Sequence, residues 1–103
     1  KRQIVHVVTN TEVLQEILYR FFSLKRYTQA ETAYASVLEI CTEILPITLH
    51  DMNMALELLK KYPGITPRDA VHAATMIHHG IKEILSTDSH FDLIKEIRRI
   101  PLD

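Results

Sequence analysis

Four carboxylates are the residues of this chain whose types and spacing best suit chemistry. Asp69 lies in the segment TPRDAVHAA, and Asp88 and Asp92 lie four residues apart in STDSHFD. Glu16 lies earlier, in TNTEVLQEILYRF. Magnesium binds one or two protein carboxylates and keeps water for the rest of its shell. Such an ion activates water and stabilises charge on a phosphate under attack. The residue types for phosphodiester hydrolysis are therefore present.

Each of these carboxylates also has a simpler structural interpretation. Asp69 has the spacing of a helix cap, a role worth about 0.5–2 kcal/mol, and Asp88 lies among turn-forming residues. Asp92 can be an exposed loop residue. Glu16 precedes Arg20 by four residues, which is the spacing of an ion pair along a helix. Spacing alone therefore leaves both readings open, one metal site or four separate structural carboxylates.

Alternating helices and short strands must position these side chains. Each predicted helix begins at a threonine that is followed three residues later by an acidic residue, the spacing of a capping box. The predicted helices are 9–25, 28–41, 48–61 and 66–79, and the predicted strands are 4–8, 44–48, 84–86 and 97–100. This alternation predicts an α/β fold with a mostly parallel sheet. Sites in such folds lie at the carboxyl ends of strands, and Asp88 and Asp92 follow a predicted strand.

Composition narrows the class of protein. The chain has 103 residues, 47% of them apolar, which predicts one small domain over residues 1–103. No apolar run approaches the ~18 residues needed to cross a bilayer, so no membrane association is expected. The amino end shows no signal-peptide pattern, and the single cysteine, Cys41, fits a reducing compartment. Cytoplasmic localisation is therefore predicted.

Several other chemistries lack their motifs. The six histidines include no H-E-x-x-H spacing and no cysteine pair accompanies them, which argues against zinc. No G-x-S-x-G elbow or glycine-rich phosphate loop is present. The net charge of −1 argues against nucleic-acid binding by the whole surface, although local basic clusters could still contact phosphates.

The motifs resemble those of a known family. RDAVHAA followed by STDSHFD resembles the PIN-domain family, in particular the toxin ribonucleases of the VapC type in prokaryotic toxin–antitoxin pairs. TNTEVLQEILYRF is similar to an earlier family motif that carries an acid on the second helix. The resemblance covers essentially the whole chain. It implies a three-layer α/β/α fold and an endoribonuclease, a hydrolase that cleaves RNA phosphodiester bonds and depends on Mg²⁺ or Mn²⁺.

The resemblance also implies a set of site residues. The acids matched by motif to the metal site are Glu16, Asp69, Asp88 and Asp92, and the first three are also assigned to catalysis. Thr87 matches a hydroxyl beside the metal. Glu12 competes with Glu16, since it lies four residues earlier on the same helical face. Glu16 is preferred because its surroundings align better with the family pattern.

Partners follow from the same resemblance. Arg20, Lys25, Arg26 and the Thr87 hydroxyl are the predicted contacts to substrate RNA. The first two helices, which are rich in aromatic residues, are expected to contribute to a homodimer and to bind an antitoxin protein.

One feature of the family pattern is missing. A PIN domain begins with a strand that ends in an aspartate, and nothing before Ile4 matches it. The expectation is therefore an amino-terminally truncated domain that lacks its first strand and can be inactive on its own. The alternative is a non-catalytic PIN-like module that binds RNA or a protein.

Overall fold

Helices alternate with short parallel strands along the chain. A computed structural model describes residues 7–86 and 88–100. The elements in order are β1 (Val8–Asn10), α1 (Thr11–Ser23), α2 (Tyr27–Ile40), β2 (Glu43–Leu45), α3 (Leu49–Lys61), α4 (Pro67–His78), β3 (Glu83–Leu85), a 3₁₀ helix (Ser89–Leu93) and β4 (Arg98–Ile100). The predicted α/β class is confirmed. The chain divides into two compact units, Lys1–Pro46 and Ile47–Asp103.

The first unit joins one strand pair to one helix pair. Strands β1 and β2 are parallel, with Val8 opposite Glu43 and Asn10 opposite Leu45. Helix α1 packs against α2, where Ala30 is fully buried. This unit carries much of the exposed apolar surface of the described residues, including Tyr19, Phe22, Leu24, Tyr27, Leu38 and Ile40.

The second unit contains the larger core and the second strand pair. Strands β3 and β4 are parallel, and Ile84 lies opposite Arg99. Small side chains on α4 allow α3 to approach closely, because Ala70, Ala73 and Ala74 are all fully buried. Most of the other buried residues of this core have larger side chains, namely Leu58, Tyr62, Ile65, Met76, Phe91, Ile94 and Ile97.

Glycine ends α4 as predicted. Gly80 adopts a left-handed φ of 70°, a conformation that glycine enters without steric cost. The Gly80 N–H donates to the Ile77 carbonyl (3.1 Å), and the Ile81 N–H donates to the Met76 carbonyl (2.8 Å). These two bonds form a Schellman motif, which satisfies the last carbonyls of the helix. The chain then turns directly into β3.

The threonine caps predicted for the first two helices are wrong. Asn10, and not Thr9, caps α1, since its side chain accepts the Glu12 N–H at 3.0 Å. Asparagine is at least as good a cap as threonine, so Asn10 can take the capping position in place of Thr9. Helix α2 begins at Tyr27, one residue before the predicted Thr28, and its N-cap Arg26 makes no side-chain cap bond. The starts of α3 and α4 are confirmed.

The strand predictions are confirmed in type and shifted in position. Observed strands begin at Val8, Glu43, Glu83 and Arg98. Residues 4–6 of the first predicted strand lie outside the described residues. None of the described helices is both long and apolar enough to cross a membrane.

Candidate functional site

The start of α4 fixes the position of Asp69. Thr66 caps the helix, Pro67 occupies its first position, and Asp69 is the third residue. The Asp69 N–H donates to Thr66 Oγ1 (3.2 Å), while the Thr66 N–H donates to Asp69 Oδ2 (3.1 Å). The side chain of Asp69 is only 2% exposed. A carboxylate buried at a helix amino terminus gains from the positive end of the helix dipole. Asp69 is therefore held rigidly before any ligand arrives.

The loop after β3 fixes Asp88. Its N–H donates to Ser86 Oγ (3.0 Å), and its Oδ1 accepts the His90 N–H (2.9 Å). The second bond makes Asp88 the cap of the 3₁₀ helix. This loop lies at the carboxyl end of a parallel strand, where α/β proteins place their sites.

Asp69, Asp88 and His90 converge in space. One ligand atom from each lies within 4.8 Å of the other two. His90 Nδ1 lies 2.8 Å from Asp88 Oδ1 and 3.5 Å from Asp69 Oδ2. We call these three residues the acidic cluster. The structure thus brings together two of the four predicted metal ligands, and it adds a histidine.

The electrostatics of the cluster favour an ionised Asp88. The His90 backbone N–H lowers the pKa of Asp88 below its usual value, and partial burial opposes this effect. The His90 side chain lowers that pKa further. A hydrogen bond to the charged form of a carboxyl group favours that form. Asp88 is therefore a carboxylate at neutral pH.

The acidic cluster fits a divalent cation. Two carboxylates and an imidazole are common ligands of divalent metals in proteins. Exposure increases from Asp69 at 2% to Asp88 at 29% and His90 at 49%, so the cluster is open to solvent on one side. An ion held there could therefore keep water and reach a substrate.

Asp92 lies outside the acidic cluster. Arg99 binds it with two hydrogen bonds, from Nε to Oδ1 and from the guanidinium to Oδ2, both at 2.9 Å. This pairing lowers the pKa of Asp92. Arg99 also donates to the Ser86 carbonyl at 3.2 Å, and its pKa is raised by Asp92 and, more weakly, by the charge of Asp88. Asp92 thus adjoins the cluster through Arg99, and its role as a metal ligand stays a prediction.

The other predicted site residues belong to the first unit or lie outside the described residues. Glu16 is half-buried on α1, in the first unit. Arg20, Lys25 and Arg26 are exposed near the junction of α1 and α2. Thr87 lies outside the described residues. The roles of these five residues stay predictions, as does the preference for Glu16 over Glu12.

Sequence reasoning missed two residues of this region, His90 and Arg99. The position of His90 beside Asp88 could have been predicted from the local sequence. An aspartate that caps the N–H two residues later folds that residue back beside its carboxylate, so the D-S-H spacing places His90 near Asp88. Arg99 had no such signal, because its approach to Asp92 depends on the register of β4 beside β3.

Comparisons with known proteins identify the family of the chain. The family model described as PIN domain matches residues 1–97. The VapC ribonuclease Mb1869c of Mycobacterium bovis is 37% identical over 94 residues, covering 91% of this chain and 72% of the relative. Ribonuclease VapC13 of Mycobacterium tuberculosis gives the same values. Ribonuclease VapC23 of Mycobacterium tuberculosis is 30% identical over 82 residues, which are 80% of this chain and 64% of the relative.

No solved structure shows significant similarity to the chain. The family match spans nearly the whole sequence, and it includes the helix start that holds Asp69 and the loop that holds Asp88. On this evidence the chain belongs to the PIN-domain family.

Proposed function

We propose that the protein is a metal-dependent endoribonuclease, the toxin of a toxin–antitoxin pair. The observation that carries this proposal is the convergence of Asp69 and Asp88, two carboxylates from separate elements, on one solvent-open point. The names of the curated relatives, all VapC ribonucleases, support RNA as the substrate.

Asp69 and Asp88 would hold the cation, which we propose to be Mg²⁺ or Mn²⁺. When bound, a divalent cation stabilises the negative charge that develops on a phosphate under attack. Asp69 contributes a carboxylate whose direction is already set by the start of α4, so little reorganisation is needed. Asp88 contributes a carboxylate that stays ionised because the His90 N–H is bonded to its Oδ1.

Further site residues are proposed from the motif match. Glu16 is proposed as a metal-binding and catalytic acid. Asp92 is proposed as another metal-binding carboxylate, and it would have to leave Arg99 to bind the ion.

Substrate and partner contacts are also proposals. The exposed Arg20, Lys25 and Arg26 would contact RNA phosphates, because exposed cations bind the backbone without reading sequence. Thr87 would add a hydroxyl contact. The protein would form a homodimer and bind an antitoxin protein. We also propose that residues 1–103 form a single domain and that the protein is located in the cytoplasm.

RNA cleavage by the full-length protein tests this function. We expect cleavage with Mg²⁺ or Mn²⁺ and none with EDTA. Asp88→Asn should abolish cleavage, while Glu57→Gln should not, because Glu57 is an exposed acid that pairs with Lys60 at 3.4 Å. Cleavage that persists in EDTA would refute metal dependence.

A non-catalytic binding module is the second candidate. One observation favours it: both Asp69 and Asp88 already have a complete structural role as helix caps. RNA that is retained but never cleaved, with or without metal, would support this candidate and refute the nuclease.

A further inference from the structure

We propose that His90 binds the cation directly through Nδ1 and so biases the site towards Mn²⁺ over Mg²⁺. This inference rests on the proposed metal site at Asp69 and Asp88. It adds a nitrogen ligand to a set of carboxylates and names the ion that such a mixed set prefers.

The first argument is distance. Two donors that bind one octahedral ion at right angles, each about 2.1 Å from it, lie about 3 Å apart. His90 Nδ1 lies 2.8 Å from Asp88 Oδ1 and 3.5 Å from Asp69 Oδ2. The nitrogen therefore lies at the spacing of a third ligand beside the two carboxylates, and only small movements would complete the site.

The second argument is what holds the imidazole in place. The side chain of His90 is 49% exposed, so it is not held by burial in the core. Its backbone N–H and its Nδ1 both approach Asp88 Oδ1, at 2.9 and 2.8 Å. The ring is thus directed at the acidic cluster by the carboxylates themselves. Without the ion, a 2.8 Å contact to a carboxylate oxygen requires the proton on Nδ1. Binding the ion would move the imidazole to the tautomer protonated at Nε2, in which the Nδ1 lone pair is directed at the same point.

The third argument is ligand chemistry. Magnesium prefers oxygen ligands in near-octahedral geometry. Imidazole suits first-row transition ions better than it suits magnesium, although carboxylates accept both kinds of ion. Compared with a site of carboxylates alone, a site of two carboxylates and one imidazole should therefore favour Mn²⁺ over Mg²⁺.

A simpler role for His90 would be to position Asp88 by donating a hydrogen bond. His90→Asn separates the two roles, because the asparagine amide can donate that bond but cannot supply an imidazole nitrogen to the ion. His78→Asn is the matched control. His78 Nδ1 lies 2.7 Å from Oδ1 of another buried capping carboxylate, Asp51, with no third ligand grouped with that pair among the described residues.

Pulsed EPR of the full-length protein loaded with Mn²⁺ tests the inference, since it detects nitrogen bound directly to the ion. We expect nitrogen coupling in the wild type and in His78→Asn, and none in His90→Asn. Titration calorimetry should show Mn²⁺ binding weakened at least about tenfold in His90→Asn, because the loss of an outer partner of a ligand alone costs about 10–100-fold, with the preference for Mn²⁺ over Mg²⁺ reduced.

Bound Mn²⁺ without nitrogen coupling in the wild type would overturn the inference, and so would coupling that survives in His90→Asn. Metal-dependent RNA cleavage in either case would leave the proposed function intact. Failure of the wild type to bind Mn²⁺ or Mg²⁺ at all would instead refute both the metal site and the ligand.

Discussion

Asp51 and Asp69 are equivalent residues at the starts of consecutive helices, and within the described part of the chain only Asp69 is grouped with a second carboxylate. Each is the third residue of its helix, is buried, and closes a capping box with a threonine. Each also lies near a histidine nitrogen, at 2.7 Å for Asp51 and 3.5 Å for Asp69. Asp69 alone shares its surroundings with Asp88. The chain thus contains its own control for a structural carboxylate.

This equivalence yields the first prediction. Asp69→Asn and Asp51→Asn should each lower the free energy of unfolding by about 0.5–2 kcal/mol, because each weakens one capping box. Only Asp69→Asn should abolish binding of Mn²⁺. Urea unfolding measures the first effect and titration calorimetry the second. Metal affinity that is equal in the two variants would show that Asp69 is only a cap.

The second prediction concerns the acid stability of the second unit. Burial alone would raise the pKa of Asp51, but hydrogen bonds from the Thr48 N–H and the His78 imidazole outweigh it, and the pKa is lowered. Because the folded pKa lies below the unfolded value of about 3.9, the stabilisation is complete above about pH 5 and is lost as the pH falls through the folded pKa.

Stability should therefore drop on acidification below about pH 5, and this drop should be smaller in Asp51→Asn. Urea unfolding at pH 7 and at pH 3 measures the difference. Glu57→Gln is the control, since that exposed acid should leave the slope unchanged. An equal drop in the wild type and in Asp51→Asn would contradict the assignment.

Contacts between residues that are close in the sequence were predictable, and contacts between residues far apart in the sequence were not. The cap that holds Asp69 is contained in four residues, Thr66 to Asp69, and it was predicted in detail. The approach of Asp88 to Asp69 was predicted only through the family resemblance, because nothing local joins a helix start to a loop 19 residues later. The pair between Asp92 and Arg99 was not predicted at all, since it depends on how β4 lies beside β3.

Local signals also failed where two residues competed. Thr9 and Asn10 are adjacent potential caps, and only the backbone geometry decides that the Asn10 side chain accepts the Glu12 N–H. The alternation of helices and strands was predicted correctly, because apolar periodicity extends over whole helices. The boundaries of these elements were predicted less well, because a single neighbouring polar residue can move them.

The third prediction tests the choice between the two acids of α1. If the motif match is correct, Glu16→Gln should lower RNA cleavage more than about 100-fold, since loss of outer ligand contacts alone costs about 10–100-fold. Glu12→Gln should have little effect, because the bond that caps α1 uses the backbone N–H of Glu12 and not its carboxylate. A nuclease assay on both variants decides, and the reverse pattern would assign the role to Glu12.

The fourth prediction concerns competition for Asp92. If Asp92 binds the ion, it must exchange Arg99 for the metal. Substitutions of Asp92 and of Arg99 should therefore change the affinity for Mn²⁺ in opposite directions. Asp92→Asn should weaken Mn²⁺ binding, because a carboxylate is lost. Arg99→Gln should strengthen it by up to about fivefold, because a partly exposed pair worth about 0.2–1 kcal/mol no longer competes for that carboxylate.

Arg98→Gln separates this competition from a general effect of charge. Arg98 lies beside Arg99 on β4, but it pairs with Glu83. Arg98→Gln should therefore change the affinity for Mn²⁺ less than Arg99→Gln does, because the loss of Arg98 releases no carboxylate of the proposed metal site. Mn²⁺ affinity that is unchanged in Asp92→Asn would show that Asp92 only anchors Arg99. Arg99 would then be a brace that ties β4 to the Ser86 carbonyl, next to the loop of Asp88.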